Sequence, residues 1–325
     1  MDSNRKERFF GTDGIRGEVG GALMNPRFAL DLGSAIGKTF LSMGNSKSVA
    51  ILGKDTRVSG YMLESALQAG LVSAGVDVSV LGTAPTPAIA YLVRETEASF
   101  GIVISASHNP YFDNGFKIFD FDGNKITDEI QFLIEAELEK GNLVSDWRKI
   151  GRVRRIESEL RLYKEFCEGI IHSRGCCSGL SIVMDCANGA AYKIAPQIFE
   201  KTGASLTLLG TEPNGFNINE NCGSTDTKVL QATVIEQKAD IGISFDGDGD
   251  RLLLVNHKGE MVDGDQIIFA LAAGKNRLGT LKGGVVGTQM SNFGLQAALS
   301  RLGIPFERVE VGDRHVKKRL LERGW

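Results

Sequence analysis

Cysteine is scarce in this chain of 325 residues, and the five present (Cys167, Cys176, Cys177, Cys186 and Cys222) form no C-x-x-C pair. An odd, irregularly spaced set excludes a disulfide framework and a zinc ribbon, and fits reduced thiols in a cytoplasmic protein. Histidine is scarcer still: His108, His172, His257 and His315 contain no H-E-x-x-H pair, which excludes that type of metal site. Long apolar runs are lacking, since no stretch approaches the roughly 18 residues of a membrane span. Residues 1–10 are polar and charged without an apolar centre, so no secretory leader is read there and the expected location is cytoplasmic. Excess charge of one sign is lacking too. With 37 basic and 40 acidic residues the net charge is −3, too balanced for a dominant nucleic-acid surface. A composition of 42% hydrophobic and 24% charged residues excludes disorder and low complexity. The length calls for two or three domains. Glycine alone is abundant, at 40 residues where about 7% is usual, and it implies many tight loops and close backbone approaches.

The chain repeats itself. Gly75-Val-Asp-Val-Ser-Val-Leu-Gly-Thr-Ala-Pro85 aligns without gaps on Gly203-Ala-Ser-Leu-Thr-Leu-Leu-Gly-Thr-Glu-Pro213. Each copy follows a helical run (61–74; 190–202), which follows a β-rich segment ending in a polar loop (49–57; 182–189). Strand, loop, helix, strand at this spacing is a βαβ unit. A second helical run in each copy (87–97; 227–238) leads to a further strand and loop, and residues 98–107 align on 239–248. Ser107 and Asp248 therefore fall in matching loops past the carboxyl ends of equivalent strands, the edge where open α/β sheets bind ligands.

A third, weaker copy runs through a strand at 284–288, a helix at 295–302 and a strand at 304–311, and then opens a helix at 313–323. The chain stops there, so the expectation is an incomplete third domain. Val316, Leu320 and Leu321 should then be either disordered or buried against another surface. The expected domains are 1–152, 153–256 and 257–325. The first join is basic (Trp147-Arg-Lys-Ile-Gly-Arg-Val-Arg-Arg155) and reads as a solvated connector, since net charge opposes a nucleic-acid patch. The second lies in a β-hairpin turning at Lys258-Gly259.

Three loops carry chemistry. In Asp246-Gly-Asp-Gly-Asp-Arg251, three carboxylates at alternate positions share one side if the backbone stays extended. Like charges about 4 Å apart cost about 4 kcal/mol per pair at an effective dielectric of 20. Either the loop is an acidic solvated turn or a hard cation such as Mg²⁺ resolves the repulsion. The apolar strand before it argues for the ion, and His257 at loop position 12 argues against an EF-hand. In Ser105-Ala-Ser-His-Asn-Pro110, followed by Asn114-Gly-Phe-Lys117, the serine reads in three ways: a Ser–His nucleophile, a capping turn, or a carrier of phosphate. Adjacent residues rarely reach each other in triad geometry, and no G-x-S-x-G elbow surrounds the serine. A phosphoserine, with its three acceptor oxygens, would face the acidic loop through the repeat. In Phe10-Gly-Thr-Asp-Gly-Ile-Arg-Gly17, glycines bracket Arg16 in a loop suited to an oxyanion, or to a plain surface turn. Lys54-Asp55-Thr56-Arg57 is expected to add two cations at the same edge. Gly33-Ser-Ala-Ile-Gly-Lys-Thr39 is one residue short of a P-loop and lies inside a helical pattern, so it binds no nucleotide.

Taken together, these loops resemble the α-D-phosphohexomutase family, in order and over nearly the whole chain. Asn217-Ile-Asn219, Cys222-Gly-Ser-Thr225 and Val311-Gly-Asp-Arg314 most resemble its bacterial branch acting on glucosamine phosphates. The resemblance implies repeated three-layer α/β domains with mixed sheets, the third incomplete and the family's fourth absent. It implies a phosphorylated Ser107, one Mg²⁺ on Asp246, Asp248, Asp250 and a phosphoserine oxygen, and exchange of glucosamine 6-phosphate with glucosamine 1-phosphate through a bisphosphate. Lys117 and His108 resemble the family's acid/base groups, and Arg16 and Arg251 its phosphate contacts. Asp226 and Asn214 depart from residues often found in the family, and its sugar-recognition and terminal phosphate loops lie beyond this sequence, so weakened turnover is expected. The alternatives are a phosphomannomutase or phosphoglucomutase, or a non-catalytic remnant. The expected partner is a small hexosamine phosphate, with neither nucleic acid nor membrane, and a homodimer is one outcome of an open third sheet.

Overall fold

The computed structural model describes residues 9–11, 13–44, 48–141, 146–171 and 175–325; Thr12 and His172 lie outside them. The first unit contains β1 (Ile15–Glu18), α1 (Pro26–Ser42), β2 (Val49–Lys54), α2 (Ser59–Ala74), β3 (Asp77–Thr83), α3 (Thr86–Glu95), β4 (Phe100–Ile104), β5 (Asp113–Phe119), α4 (Asp128–Lys140), β6 (Val153–Arg155) and α5 (Leu160–Ile170). The second contains β7 (Ser181–Asp185), α6 (Ile194–Glu200), β8 (Ser205–Leu209), α7 (Lys228–Glu236), β9 (Ile241–Phe245), β10 (Leu252–Asn256) and β11 (Met261–Val262). The third contains α8 (Gly264–Arg277), β12 (Val285–Thr288), α9 (Phe293–Arg301), β13 (Phe306–Val309) and α10 (Asp313–Arg323).

The repeat is visible in the sheets. The first sheet runs β1-β5-β4-β2-β3-β6 and the second β11-β10-β9-β7-β8. In each, a central strand pairs in parallel with two neighbours, and a hairpin strand closes antiparallel on one of them. The inner order β5-β4-β2-β3 thus recurs as β10-β9-β7-β8, and the aligned segments 98–107 and 239–248 contain β4 and β9. The sheets are mixed and helix-covered, as expected. On one face of the first sheet, Ile36 and Phe40 of α1 and Leu67 and Leu71 of α2 bury against Leu52, Phe100 and Ile102. On the other, Ile89 and Val93 of α3 bury against Ile51 and Val103.

The P-loop-like run is a helix crossing. Asn25 starts α1 by accepting the Phe28 N–H at 2.9 Å, and Pro26 presets its first turn. A Cβ on Gly70 would lie 2.0 Å from the Leu30 carbonyl oxygen, and one on Gly33 would lie 2.3 Å from that of Leu67. Backbone meets backbone there. Gly70→Ala is therefore expected to lower stability by about 1–3 kcal/mol, outweighing the helix-propensity gain of about 1 kcal/mol. Urea unfolding measures this, and an unchanged midpoint would show the helices separating freely.

The sheets do not respect the expected joins. β6 pairs in parallel with β3, Val78 to Val153 through Val80 to Arg155, so the basic connector is the edge strand of the first sheet. An unpaired β3 edge would otherwise face solvent. Leu160 and Tyr163 of α5 also pack on the first unit. In the same way β11, beyond 256, pairs with β10 of the second sheet, and the hairpin turns with Gly259 at a φ of 78°.

The third sheet has two parallel strands among the described residues. The expectation for its last helix is corrected: α10 is helical throughout, with Val316 and Leu320 half-buried and the helix packed on β12 and β13. Trp325 covers Gly283 and Gly284. Leu321 alone of the three points away, 71% exposed. No helix among the described residues is long and apolar enough to cross a membrane.

Candidate active site

The serine loop joins β4 to β5. Ser107 is fully buried and has a φ of 55°, a left-handed conformation unfavourable for serine. Its surroundings hold it there. Ser105 Oγ accepts the Ser107 N–H at 2.9 Å and donates to Asp55 Oδ2 at 2.5 Å. Asp55 Oδ2 also accepts from Arg57 Nε at 2.8 Å. Arg57, fully buried, then donates Nη2 to the carbonyls of Ser107 (2.9 Å) and Asn109 (2.7 Å), and Nη1 to those of Asp113 (3.0 Å) and Pro110. Lys54 and Arg57 thus lie at the expected edge, but each is engaged by the protein itself. Arg57 is consumed by the serine loop, and Lys54 by Glu64 at 2.6 Å. Arg57→Ala would leave Asp55 buried and unpaired, so unfolding by urea should show a loss of about 3–5 kcal/mol; a loss below about 1 kcal/mol would refute the clamp.

The acidic loop follows β9. It converges through a turn: Gly249, at a φ of 70°, donates its N–H to the Asp246 carbonyl at 3.1 Å. One carboxylate oxygen from each of Asp246, Asp248 and Asp250 lies within 4.8 Å of the others. Asp246 Oδ1 accepts the N–H groups of Asp250 and Arg251, both at 3.1 Å. Its Oδ2 accepts from Ser107 Oγ at 2.6 Å. The two loops predicted to face one another are in hydrogen-bond contact.

Lys117, on β5, reaches the same point, with Nζ 2.7 Å from Asp248, 2.9 Å from Asp250 and 3.5 Å from Asp13. Burial, then the charges of Asp248 and Asp250, push the Asp246 carboxyl up to about 7. Burial and Asp248 also raise Asp250. Burial would raise Asp248 too, but the Lys117 ammonium outweighs it and holds that carboxyl below the usual range. Burial opposes charge on Lys117, yet its carboxylate partners hold it charged far above the ordinary lysine range. Asp248 Oδ1 is buried without a hydrogen-bond partner among the described residues. Converging carboxylates, an orphaned acceptor and an all-oxygen donor set fit a hard divalent cation, which Asp246, Asp248 and Asp250 could hold.

The remaining predicted residues ring this point. His108 Nδ1 lies 3.3 Å from Ser107 Oγ, so the two neighbours are within hydrogen-bond reach. Burial, then the nearby Arg251 and Arg16, depress the His108 pKa. Arg16 and Arg251 line one cavity of about 490 Å³ with Phe10 and Asp13. Arg16 is ion-paired with Asp13, and its Nη1 donates to the Ala106 carbonyl at 3.3 Å; Arg251 is half-exposed beside Asp250.

Sequence reasoning missed three contributors. Thr86 reads only as a helix start after Pro85, yet its N–H donates to the Asp248 carbonyl at 2.9 Å and its hydroxyl to Asp248 Oδ2. Asp13, inside the Arg16 motif, joins Arg16, Lys117 and Lys125. Asn219 crosses from the second unit to the serine loop.

Repeated α/β/α units that bring a buried serine onto an acidic triplet define a class, and the comparisons agree. The chain matches phosphoglucomutase/phosphomannomutase α/β/α domain I over 7–144, domain II over 164–259 and domain III over 263–325. It belongs to that family. Among its relatives, the phosphoglucosamine mutase of Photorhabdus laumondii is 54% identical over 323 residues, covering 99% of this chain and 72% of the relative. That of Proteus mirabilis is 52% identical over 320 residues, covering 98% and 72%. The crystal structure of a phosphoglucomutase/phosphomannomutase family protein from Burkholderia thailandensis superposes with a TM-score of 0.84 at 25% identity, covering 97% of this chain and 69% of that one.

Proposed function

We propose that this chain is a phosphosugar mutase interconverting glucosamine 6-phosphate and glucosamine 1-phosphate, with Ser107 as the phosphoryl carrier. The observation that carries the reading is the 2.6 Å contact between Ser107 Oγ and Asp246 Oδ2 at the ends of β4 and β9. The sugar is taken from relatives more than half identical to this chain.

In this reading Ser107 gives its phosphoryl group to the free hydroxyl of the sugar phosphate, forming a bisphosphate. The bisphosphate turns over and returns its other phosphate to Ser107. A divalent cation held by Asp246, Asp248 and Asp250 would neutralise charge on the transferring oxygens, the main requirement of phosphoryl transfer. Lys117, kept charged by its carboxylates, donates to the oxygen that develops charge. His108, kept neutral and 3.3 Å from Ser107 Oγ, relays one proton: the proton lost by the attacking sugar hydroxyl ends on Ser107 Oγ as the phosphoryl group leaves it, and it returns to the departing sugar oxygen when Ser107 is phosphorylated again. Arg16 and Arg251, on one cavity wall, hold the phosphate that is not reacting.

The test is incubation with Mg²⁺ and glucosamine 1,6-bisphosphate, followed by intact mass and peptide mapping. One phosphate on Ser107 is expected; no uptake, or uptake elsewhere, would overturn the reading. The family match also admits mannose or glucose phosphates, and relative turnover on the three sugars separates these.

A further inference from the structure

Asn219 belongs to a run, Asn217-Ile-Asn219, that the mechanism leaves without a role. Its N–H donates to the Ala187 carbonyl at 2.9 Å and its φ is 59°, so its turn is fixed in the second unit. From there Nδ2 reaches the first unit and donates to the carbonyls of Ser107 at 2.9 Å and Asn109 at 3.1 Å. Both amide hydrogens serve the loop that bears the nucleophile. Oδ1 is meanwhile buried with no hydrogen-bond partner among the described residues. Turning the amide over would set that oxygen against two carbonyls, so the orientation is fixed. A contact that leaves an acceptor orphaned is a poor source of stability. It points to alignment instead. The acidic loop meets the same spot: a Cβ on Gly247 would lie 2.6 Å from the Ser107 carbonyl oxygen and 2.8 Å from Asn219 Nδ2.

We propose that Asn219 is a positioning residue that holds Ser107 in register with Asp246 across the two units, a role that rests on the phosphoryl-transfer reading. It acts through the Ser107 main chain and touches no reacting atom. Arg57 fixes the loop from within the first unit; Asn219 ties it to the unit that bears the carboxylates.

Asn219→Ala and Asn219→Asp test this in the full chain. Amide exchange across 105–110 should speed up in both variants, more in the near-isosteric Asp variant, whose carboxylate faces two carbonyls, while 181–209 stays unchanged. Phosphate transfer from glucosamine 1,6-bisphosphate to Ser107 should fall roughly thirtyfold at saturation, with the half-saturating concentration within about twofold, because Ser107 would have to be brought into register before each transfer without the two hydrogen bonds that now hold it. Unchanged exchange at 105–110, a milder defect in the Asp variant than in the Ala variant, or a transfer loss matched by faster exchange everywhere would overturn the proposal. If the wild-type chain took up no phosphate while exchange at 105–110 still responded, the proposed function would fall and the role in positioning a nucleophile with it, while the tether of the loop by Asn219 would stand.

Discussion

Ser107→Ala is expected to abolish covalent phosphate and to slow phosphosugar exchange by at least roughly a thousandfold, about 4 kcal/mol in barrier. The side chain has no substitute in place. Ser105 is the nearest hydroxyl in the same loop, but its oxygen is engaged between Asp55 and the Ser107 N–H. Of the two serines, Ser107 is the one whose Oγ meets the acidic loop. The two serines should therefore part in their effects. Ser107→Ala keeps the backbone contacts to Ser105, Arg57 and Asn219 and gives up one side-chain hydrogen bond, to Asp246, so the loop should stay in place at a cost of about 1 kcal/mol. Ser105→Ala leaves buried Asp55 and the Ser107 N–H each one partner short, and should lower stability by about 1–3 kcal/mol while still accepting phosphate on Ser107. Mass spectrometry and urea unfolding of both variants check this. Phosphate persisting on Ser107→Ala, or activity within tenfold of wild type, would remove the proposed carrier.

The contact of Ser107 shows where sequence reading stops. The alignment of 98–107 on 239–248 placed Ser107 and Asp248 at equivalent edges of two sheets, because strand length and loop length repeat in register and need no tertiary knowledge. It could not show that Ser107 Oγ meets Asp246, since that depends on the left-handed turn at Ser107. Arg57 was read as a cation at that edge, and its engagement was not legible because burial is a property of the folded whole; the carbonyls it holds lie about fifty residues away. Thr86 and Asn219 were missed for the same reason, each acting over more than a hundred residues. β6 was taken for a connector because three exposed residues carry no periodicity; the unpaired edge of β3 decides its place. The acidic triplet was legible in full, because its physics is local: the repulsion follows from spacing, whatever curve the backbone takes.

That repulsion should be measurable as stability. In chelated protein the Asp246 carboxyl is raised to about 7 from an ordinary 3.8, by burial and then by Asp248 and Asp250. The folded state thus grips this proton more tightly than the unfolded chain does. Below the unfolded value both states are protonated and the group contributes no pH dependence. As pH rises toward 7 the unfolded chain releases its proton first, so stability falls, and above 7 the loss is complete. A shift of that size corresponds to about 4 kcal/mol at most; shared among three coupled carboxylates, about 2 kcal/mol is expected for one. Asp246→Asn should remove it. The amide oxygen can still accept the Asp250 and Arg251 N–H groups, and the Ser107 hydroxyl can rotate to accept from the new amide. The variant should therefore be more stable than wild type by about 2 kcal/mol at pH 8 with chelator, and level with it at low pH. Its affinity for Mg²⁺ or Mn²⁺ should fall by at least about a hundredfold, since even changes outside the ligand set cost 10–100-fold. Gain of stability with loss of function is the signature of a site built on unfavourable charge. Urea unfolding across pH and calorimetric titration with the ions decide it. A variant that is less stable at pH 8, or that still binds the ion as wild type does, would mean the triplet is not the ligand set.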